Sequence, residues 1–469
     1  MNCKTKDYEI DISDIPLLEY TNIFISNLTW INRGIDKDIA TFDLVVRDMP
    51  EYWNFYLFNG LEKFIDMLLN FKYDEEAIKL MKKMGLIDSK KTESFYRNFK
   101  FSGDVWAMKD GAIFFPGEPI VRITAPLVEA NLLTAFVTNV FGYPIRILSK
   151  TARLKFATEG TTFIAASIVR LPGFEQGVEV ARAAYLLEAN LGAVPMFFRK
   201  FKKNVSVDKI FTNINHAFIK SFGTEREAFR YVLDVLLEKK MLFWVMIDTY
   251  EIKKGLDIFI EEIKATPKVD YKRFMITIDS GNVKELAFYV RKTLDKNGLR
   301  DIKIQAMSNL DEYIIDDMAK DKTPVDCYVS ATALINVVDN PRFEAVYKMA
   351  ELIHEDGNIE QKAKLTKGKE SYPGRKQIFR VYDKNGKIKE DIIGIESEKL
   401  GVPMLHKAIS RGKRVGKAKT LEEIRENIKK ELKTLPIAFK AIKKPVKYKV
   451  TVSKKLSKMV EGLRVKHIN

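Results

Sequence analysis

Four short apolar runs in this 469-residue chain end abruptly in acidic or hydroxyl side chains. The side chains at these four ends are, in chain order, Asp248, Asp279, Ser308 and Ser330. A carboxylate that leaves water needs a partner, so acidic residues at the end of a buried run indicate a binding or catalytic site. The alternative is that each aspartate caps the helix that follows it.

The elements that position these side chains are predicted from the spacing of the runs. A helix-length segment separates each run from the next, which is typical of βα units with parallel strands. Such strands are buried on both faces and therefore form nearly continuous apolar runs. In a barrel of βα units, the chemistry takes place at the carboxyl ends of the strands. The four predicted strands lie within 244–250, 275–281, 302–309 and 325–332.

Length and composition predict a globular protein of two or more domains, with 46% hydrophobic and 30% charged residues. The first residues lack the apolar core of a signal peptide, and no apolar run approaches the ~20 residues of a membrane helix. Two cysteines, Cys3 and Cys327, are expected to be unpaired thiols in a reducing compartment. We therefore predict a cytoplasmic protein without membrane contact, and we find no Cys/His pattern with zinc-ligand spacing.

Positive charge is concentrated at the C-terminal end of the sequence. Residues 401–469 contain 20 Lys and Arg against 5 Asp and Glu, whereas the preceding 400 residues contain 59 and 58. This asymmetry indicates an anionic partner, such as RNA or a ribonucleoprotein, or simply a soluble basic surface. The basic, aromatic segment 197–203 has the same two interpretations, phosphate contact or a surface turn.

Helical spacing of apolar residues predicts further helices outside the βα region. A long apolar stretch, 126–165, has helical spacing and is expected to break at Gly142 and Pro144. Two polar helices are predicted on either side of Gly85. The other predicted helices cover 61–71, 178–191, 225–239 and 421–435.

Several short motifs occur in a fixed order along nearly the whole chain. They are FDLVVR (42–47), FNGLE (58–62), FSGDV (101–105), FPGEP (115–119), IDTY (247–250), IDSG (278–281), LDEY (310–313) and PGRKQIFR (373–380). Each motif alone is weak, but the ordered set resembles the nicotinate phosphoribosyltransferase family.

The resemblance implies an α/β architecture, an irregular, partly open (β/α) barrel with a flanking α/β domain formed from the N- and C-terminal segments. The expected domains are 1–145 (N-terminal, flanking), 146–345 (barrel) and 346–469, which completes the flanking domain and is strongly basic from 401. The family usually works as a homodimer.

The resemblance also implies a reaction. The family joins nicotinate to phosphoribosyl pyrophosphate, with ATP hydrolysis coupled through a phosphorylated histidine and with Mg²⁺, on the route to NAD. His216 is at the position of that histidine, although a lone histidine in an apolar segment is equally a core residue. The residues expected to bind substrate are Tyr20, Arg170, Asp248, Thr249, Asp279, Ser280, Ser308, Ser330 and Thr332. Tyr20 would stack on the pyridine ring, or it is a packed tyrosine.

Several phosphate-binding motifs differ from the family pattern. Gly-Thr-Met-Ala-His becomes TNINH (212–216), and of Glu-Phe-Gly-x-Arg-Arg only Arg170 remains. Gly-Val-Gly-Thr becomes VSAT (329–332), which adds Cβ atoms where glycine allows close backbone approach. Three hypotheses therefore stay open: a divergent enzyme, a non-catalytic homologue that binds RNA or a ribonucleoprotein such as the ribosome, and a subunit that stabilises an active paralogue. A homodimer is expected from the resemblance, whereas activity and the base substrate are not predicted.

Overall fold

The structure, a computed structural model, describes residues 14–158, 160–165, 168–190, 194–201, 211–239 and 241–468. Within these residues the α-helices are α1 (Thr21–Arg33), α2 (Leu61–Leu69), α3 (Glu75–Lys83), α4 (Lys90–Arg97), α5 (Leu127–Asn131), α6 (Thr134–Ala157), α7 (Phe174–Leu186), α8 (Pro195–Phe201), α9 (His216–Lys220), α10 (Glu225–Lys239), α11 (Ile252–Ala265), α12 (Val283–Lys296), α13 (Glu312–Lys320), α14 (Thr332–Ile335), α15 (Leu421–Thr434) and α16 (Lys454–Ile468). Cys3 and residues 202–203 lie outside the described residues.

The strands in the same described residues are β1 (Ile39–Val46), β2 (Tyr56–Leu57), β3 (Asp104–Ala107), β4 (Ile113–Phe114), β5 (Pro119–Pro126), β6 (Thr162–Ala165), β7 (Phe211–Asn213), β8 (Leu242–Met246), β9 (Phe274–Ile278), β10 (Lys303–Ala306), β11 (Cys327–Ser330), β12 (Ala345–Ile353), β13 (Ile359–Gln361), β14 (Lys376–Tyr382), β15 (Ile388–Ile395), β16 (Val402–Pro403), β17 (His406–Ser410), β18 (Lys413–Arg414) and β19 (Lys449–Val452). The chain forms two compact units. The first contains the described residues up to Arg146, Arg342–Phe439 and those from Pro445 onward, and the second contains Ile147–Pro341 and Lys440–Lys444. The predicted division into separately folding domains stays a prediction.

The second unit contains a six-stranded parallel sheet in the order β6-β11-β10-β9-β8-β7. Strands β7 to β11 lie side by side in chain order, and β6 joins the sheet beside the last of them. This is the strand order of a barrel whose two edges, β6 and β7, form no ladder with each other in the described residues. The predicted parallel βα units and the partly open α/β barrel are therefore confirmed.

The strands of this sheet are buried on both faces. Phe243 and Val245 of β8 pack in a large apolar cluster with residues of α10, α11 and α12. Trp244, between them, faces the opposite way into a smaller cluster with Met275 and Cys327. Both clusters exclude water, so the strand can be apolar at every position. Cys327 is a buried free thiol, and burial raises its pKa to about 12.

The first unit is built from both ends of the chain. Its seven-stranded sheet has the order β13-β12-β1-β5-β3-β17-β18, and the strand β1 pairs antiparallel with both β12 and β5. Three strands therefore come from the N-terminal segment and four from the C-terminal segment. A second sheet, β16-β14-β15-β19, is made from the C-terminal segment. The predicted assembly of one α/β domain from both segments is confirmed.

Two sequence predictions about the helical stretch 126–165 are wrong, and the first is its far end, where Thr162–Ala165 form the strand β6. The helix α6 continues through Gly142 and Pro144, where we expected a break. Phe141 and Ile145, which flank the proline, are completely buried, so packing offsets the loss of one backbone hydrogen bond. The Asn59 side-chain amide also donates to the Pro144 carbonyl at 3.1 Å. None of the described helices is both long enough and apolar enough to cross a membrane.

Candidate active site

The strand register brings the predicted site residues to one edge of the parallel sheet. Met246 at the end of β8 pairs with Thr277, and Ala306 at the end of β10 pairs with both Ile278 and Tyr328. The four strands therefore end at nearly the same level. The residues that follow or end them, Asp248, Asp279, Ser308 and Ser330, lie along this edge.

The Asp248 side chain is nearly enclosed, with 8% of it exposed. Its Oδ2 accepts a hydrogen bond of 3.0 Å from the hydroxyl of Ser280, which follows β9. Its Oδ1 lies 4.0 Å from Nε2 of His216 and has no hydrogen-bond partner among the described residues. A buried carboxylate oxygen of this kind has free capacity to bind a cation or a proton donor.

His216 begins the short helix α9, whose N-terminus is capped by the Asn215 side chain at 2.9 Å from the Phe218 N–H. The imidazole side chain is 41% exposed, so it is not a core histidine. Its Nδ1 lies 3.0 Å from the Thr249 hydroxyl, while Nε2 faces Asp248. Thr249 therefore orients Nδ1 of this accessible histidine by a hydrogen bond, and Asp248 faces the other ring nitrogen at 4.0 Å.

Asp279 lies within electrostatic range of the other charged side chains of the site. Burial and the negative charge of Asp248 raise its pKa, while His216, the backbone N–H of Ser308 and the guanidinium of Arg170 oppose that rise. Ser308 has φ +94°, an unusual backbone angle for serine, in the loop that gives Asp279 this hydrogen bond. The strained residue is at the site edge, where such conformations concentrate.

The helix-cap alternative for the two aspartates does not hold. The first turn of α11 is capped by Glu251, which accepts from the N–H groups of Lys253 and Lys254. The first turn of α12 is capped by Asn282. Because the caps are supplied three residues later, the carboxylates of Asp248 and Asp279 are not used as helix caps.

The segment 329–332, which the resemblance predicts to bind phosphate, contains no glycine. The Ser330 hydroxyl is buried and donates to the Leu310 carbonyl at 2.7 Å, so this proton is not offered to a ligand. Ala331 has φ −114°, outside the left-handed region that favours glycine. Thr332, half-buried, begins α14 directly after it.

Two predicted substrate-binding residues are exposed. Arg170 ends a 3₁₀ turn, its carbonyl accepts from the Asn336 amide at 3.3 Å, and its charge acts on Asp279. Tyr20 is the N-cap residue of α1 in the first unit and is 73% exposed, so it is not a packed tyrosine. The structure thus brings together His216, Asp248, Thr249, Asp279, Ser280, Ser308 and Arg170 in the second unit.

Sequence reasoning missed one acidic residue near this cluster. Glu225 was assigned only to the start of an amphipathic helix, and it is 7% exposed. Burial and the charge of Asp248 raise its pKa. No sequence pattern distinguishes it from the exposed acidic residues of the same helix, because its burial depends on how α10 packs against α11.

The site contains two carboxylates, an accessible imidazole and an arginine at one edge of the parallel sheet. Carboxylates stabilise a positive charge that develops in a transition state, and the arginine is suited to a phosphate. Among the described residues, no three His, Cys, Asp or Glu side chains form a group that could hold a metal ion.

Sequence comparisons agree on one family. The profile of the nicotinate phosphoribosyltransferase N-terminal domain matches residues 26–141, and that of the C-terminal domain matches residues 401–460. Nicotinate phosphoribosyltransferase pncB2 of Mycobacterium tuberculosis is 30% identical over 432 residues, covering 91% of this chain and 89% of that protein. The nicotinate phosphoribosyltransferase of Bacillus subtilis is 29% identical over 403 residues, covering 84% and 79%.

Solved structures share the fold. Human nicotinic acid phosphoribosyltransferase has a TM-score of 0.77 at 19% identity, with 95% of this chain and 100% of that chain covered. Nicotinate-nucleotide pyrophosphorylase from Pyrococcus furiosus has a TM-score of 0.68 at 18% identity, with 91% and 98% covered. At these identities the likeness concerns the architecture.

Proposed function

Because the chain belongs to the nicotinate phosphoribosyltransferase family, we propose that it joins nicotinate to phosphoribosyl pyrophosphate and forms nicotinate mononucleotide for NAD synthesis. The observation that carries this proposal is the orientation of His216 by Thr249 and Asp248 at the end of β8. An exposed imidazole with one nitrogen hydrogen-bonded and the other facing a carboxylate fits a histidine that is phosphorylated by ATP.

In the proposed reaction, the pyridine nitrogen of nicotinate forms a bond to C1 of the ribose while the bond from C1 to pyrophosphate breaks. Positive charge develops on the ribose as the pyrophosphate leaves. The carboxylates of Asp248 and Asp279 stabilise this charge, and Arg170 binds a phosphate group. Tyr20 as a stacking residue, and backbone groups at 330–332 as phosphate ligands, stay predictions.

His216 couples the reaction to ATP in this proposal. With its proton on Nε2, facing Asp248, the ring has a lone pair on Nδ1. The Thr249 hydroxyl is a neutral hydrogen-bond partner for that lone pair, and an incoming phosphoryl group can displace it. The γ-phosphoryl group moves from ATP to the ring nitrogen, ADP leaves, and water later removes the phosphoryl group. Mg²⁺, if bound, would be held by the phosphate groups of the two substrates and would neutralise part of their negative charge.

The test is direct. The purified protein is incubated with nicotinate, phosphoribosyl pyrophosphate, ATP and Mg²⁺, and nicotinate mononucleotide is measured. We expect turnover that His216→Ala reduces about 100-fold or more, the scale of a lost catalytic side chain. Radiolabel from γ-labelled ATP should become protein-bound in the wild type and be absent in His216→Ala.

The matched control is His467→Ala, which removes an exposed histidine of α16 in the first unit. This variant should keep wild-type turnover and labelling. If the wild-type protein forms no nicotinate mononucleotide under these conditions, the proposed enzymatic function is wrong and the two non-catalytic hypotheses are favoured. Turnover that survives in His216→Ala would instead remove His216 from the mechanism.

The RNA-binding alternative receives no support from the relatives. The structure also weakens its premise, because many basic side chains of the C-terminal region face acidic ones. Lys407, Arg414, Lys419, Lys429, Lys443, Lys449 and Arg464 each form an ion pair. A neighbouring carboxylate reduces the attraction of each cation for phosphate. The homodimer and the cytoplasmic location stay predictions.

A further inference from the structure

Three charged side chains meet in the interior of the second unit, and the mechanism above does not use them. Lys150 and Arg153, three positions apart on α6, face Glu312, the first residue of α13. At most 1% of each side chain is exposed. Nε of Arg153 donates to Oε1 of Glu312 at 2.9 Å, and Nζ of Lys150 forms an ion pair with Oε2 at 2.5 Å. Each oxygen of this buried carboxylate therefore has its own cation.

The same cluster also holds the second residue of α13. Nζ of Lys150 donates to Oδ1 of Asp339 at 2.6 Å, and the Tyr313 hydroxyl donates to Oδ2 of that carboxylate at 3.1 Å. Lys150 and Arg153 lie over the Tyr313 ring, 5.7 Å and 5.6 Å from its centroid, within the range of a cation–π interaction. The first two residues of α13 are thus both fixed to α6.

The β10–α13 loop, residues 307–311, ends directly before this cluster. The N–H of Met307 donates to the Ile278 carbonyl at the end of β9 at 2.9 Å. The carbonyl of Leu310 accepts the hydroxyl of Ser330, the last residue of β11, at 2.7 Å. The loop therefore joins the strand ends on both sides of β10, and α13 begins where the loop stops.

Ser308, within this loop, has φ +94°, a backbone conformation that residues other than glycine rarely adopt. Such a conformation persists only where the surrounding contacts impose it. Met307 and Leu310 fix the loop on either side of this residue. Glu312 fixes the point at which the loop enters α13. The geometry of Ser308, a predicted substrate-binding residue, therefore depends on the buried cluster.

Buried ion pairs contribute little net stability to a protein. Removing the charges from water costs about as much as their mutual attraction returns, and apolar side chains of the same volume are often equally stable. An apolar contact does not fix a direction, however, whereas the carboxylate of Glu312 with one cation on each oxygen does. The cluster therefore prevents α13 from sliding or rotating against α6, and so it fixes the loop that precedes α13.

We propose that Glu312 is a positioning residue of the site: held by Lys150 and Arg153, it keeps the β10–α13 loop, and with it Ser308 and Ser330, in the geometry that binds substrate. Because its side chain is completely buried, Glu312 touches no substrate itself. The inference rests on the proposed function for its effect on the reaction. The anchoring of the loop by the cluster is independent of which substrate binds.

The experiment compares Glu312→Gln with the control Asp317→Asn, which removes an exposed carboxylate of the same helix that is ion-paired with Lys443. Glutamine keeps the shape of the side chain and an oxygen for Arg153, but it removes the charge that faces Lys150. With nicotinate, ATP and Mg²⁺ saturating, kcat/KM for phosphoribosyl pyrophosphate should fall about tenfold or more in Glu312→Gln, since small misplacements of binding groups are costly. Asp317→Asn should match the wild type, because an exposed ion pair contributes little.

The double variant Lys150→Met/Glu312→Gln separates positioning from stability. It removes one positive and one negative charge, so the charges that remain in the cluster are balanced. Its melting temperature should therefore be closer to that of the wild type than the melting temperature of Glu312→Gln is. Its kcat/KM should stay about tenfold or more below the wild type, because α13 has lost its fixed direction. If kcat/KM recovers together with the melting temperature, the cluster is merely structural and the proposal is overturned.

A second measurement does not depend on activity. In protein labelled with ¹⁵N-serine, the backbone amide NMR signal of Ser308, assigned by its loss in Ser308→Ala, is compared across the variants. We expect this signal to shift in Glu312→Gln and in the double variant, and to be unaltered in Asp317→Asn. An unshifted Ser308 signal in Glu312→Gln would overturn the proposal. If the signal shifts but the wild-type protein forms no nicotinate mononucleotide, the proposed reaction fails and the anchoring of the loop by Glu312 stands.

Discussion

Gly255→Ala tests whether the close approach of α11 to β8 holds the site together. The added Cβ would lie 2.4 Å from the Ile247 carbonyl oxygen and 3.1 Å from its carbon. Non-bonded carbon atoms prefer separations of about 3.5 Å or more, so the helix must move by about 1 Å. The obstacle is main chain in a buried strand end, which cannot rotate away as a flexible side chain does.

The expected change in the free energy of unfolding is the difference between two opposing effects. Alanine is favoured over glycine in a helix by about 1 kcal/mol. Overpacking a buried contact costs about 1–3 kcal/mol, and the rigid neighbour favours the upper value. The net loss is then about 2 kcal/mol, which lowers the melting temperature by roughly 4–8 °C for a unit of this size. Because Asp248 follows Ile247, kcat should fall as well.

Gly462→Ala is the matched control, measured by the same calorimetric scan. Gly462 is an exposed residue within α16, and a Cβ there meets nothing within 4 Å. The same substitution should therefore raise the melting temperature by roughly 2–4 °C, since only the helix preference acts. If Gly255→Ala raises the melting temperature as Gly462→Ala does, the close contact between α11 and β8 is wrong.

Two further predictions concern buried carboxyl groups. Asp248→Asn should lower kcat about 100-fold or more without a large change in melting temperature, and Asp257→Asn, exposed on α11, should leave both unchanged. Equal activity of the two variants would remove Asp248 from the mechanism. In the first unit, burial and the charge of Asp391 raise the pKa of Glu118 well above its ordinary value, so folding favours a proton on Glu118. The stability that this proton provides is complete below about pH 4.3 and is lost as pH rises through the raised pKa. Glu118→Gln should therefore flatten the fall in melting temperature between pH 5 and 9. Parallel curves for variant and wild type would contradict this assignment.

The strands of the barrel were predictable because their signal is local. A strand buried on both faces needs an apolar residue at every position, and each run ends where the chain leaves the sheet. The break at Pro144 was predicted wrongly because the cost of a proline is also local, whereas the burial of Phe141 and Ile145 depends on distant packing. The environment of the C-terminal charge is likewise not local. The sequence shows how charges are distributed along the chain. Ion pairs such as Arg414 with Glu62, however, join residues that are far apart in the sequence.

The site itself depends on contacts that spacing does not contain. His216 and Thr249 are 33 positions apart and meet because β7 and β8 are parallel neighbours. The burial of Glu225 depends on how closely a glycine in α11 lets that helix approach β8. His216 was therefore found as a catalytic candidate through the family resemblance. Glu225 was found only from the structure.

A local signal did exist that separates the candidate site aspartates from helix caps. In three successive βα units the site residue is followed, three positions later, by the residue that caps the next helix. The pairs are Asp248 with Glu251, Asp279 with Asn282, and Ser308 with Asp311. An aspartate that precedes a second capping residue by three positions lies too early to bind the first-turn N–H groups itself. The constant spacing means that each turn has two polar positions with different tasks, one facing the sheet edge and one facing the helix. The fourth unit breaks the rule, since Ala331 precedes α14 without a side-chain cap, and it is the segment in which the family's glycines have been replaced.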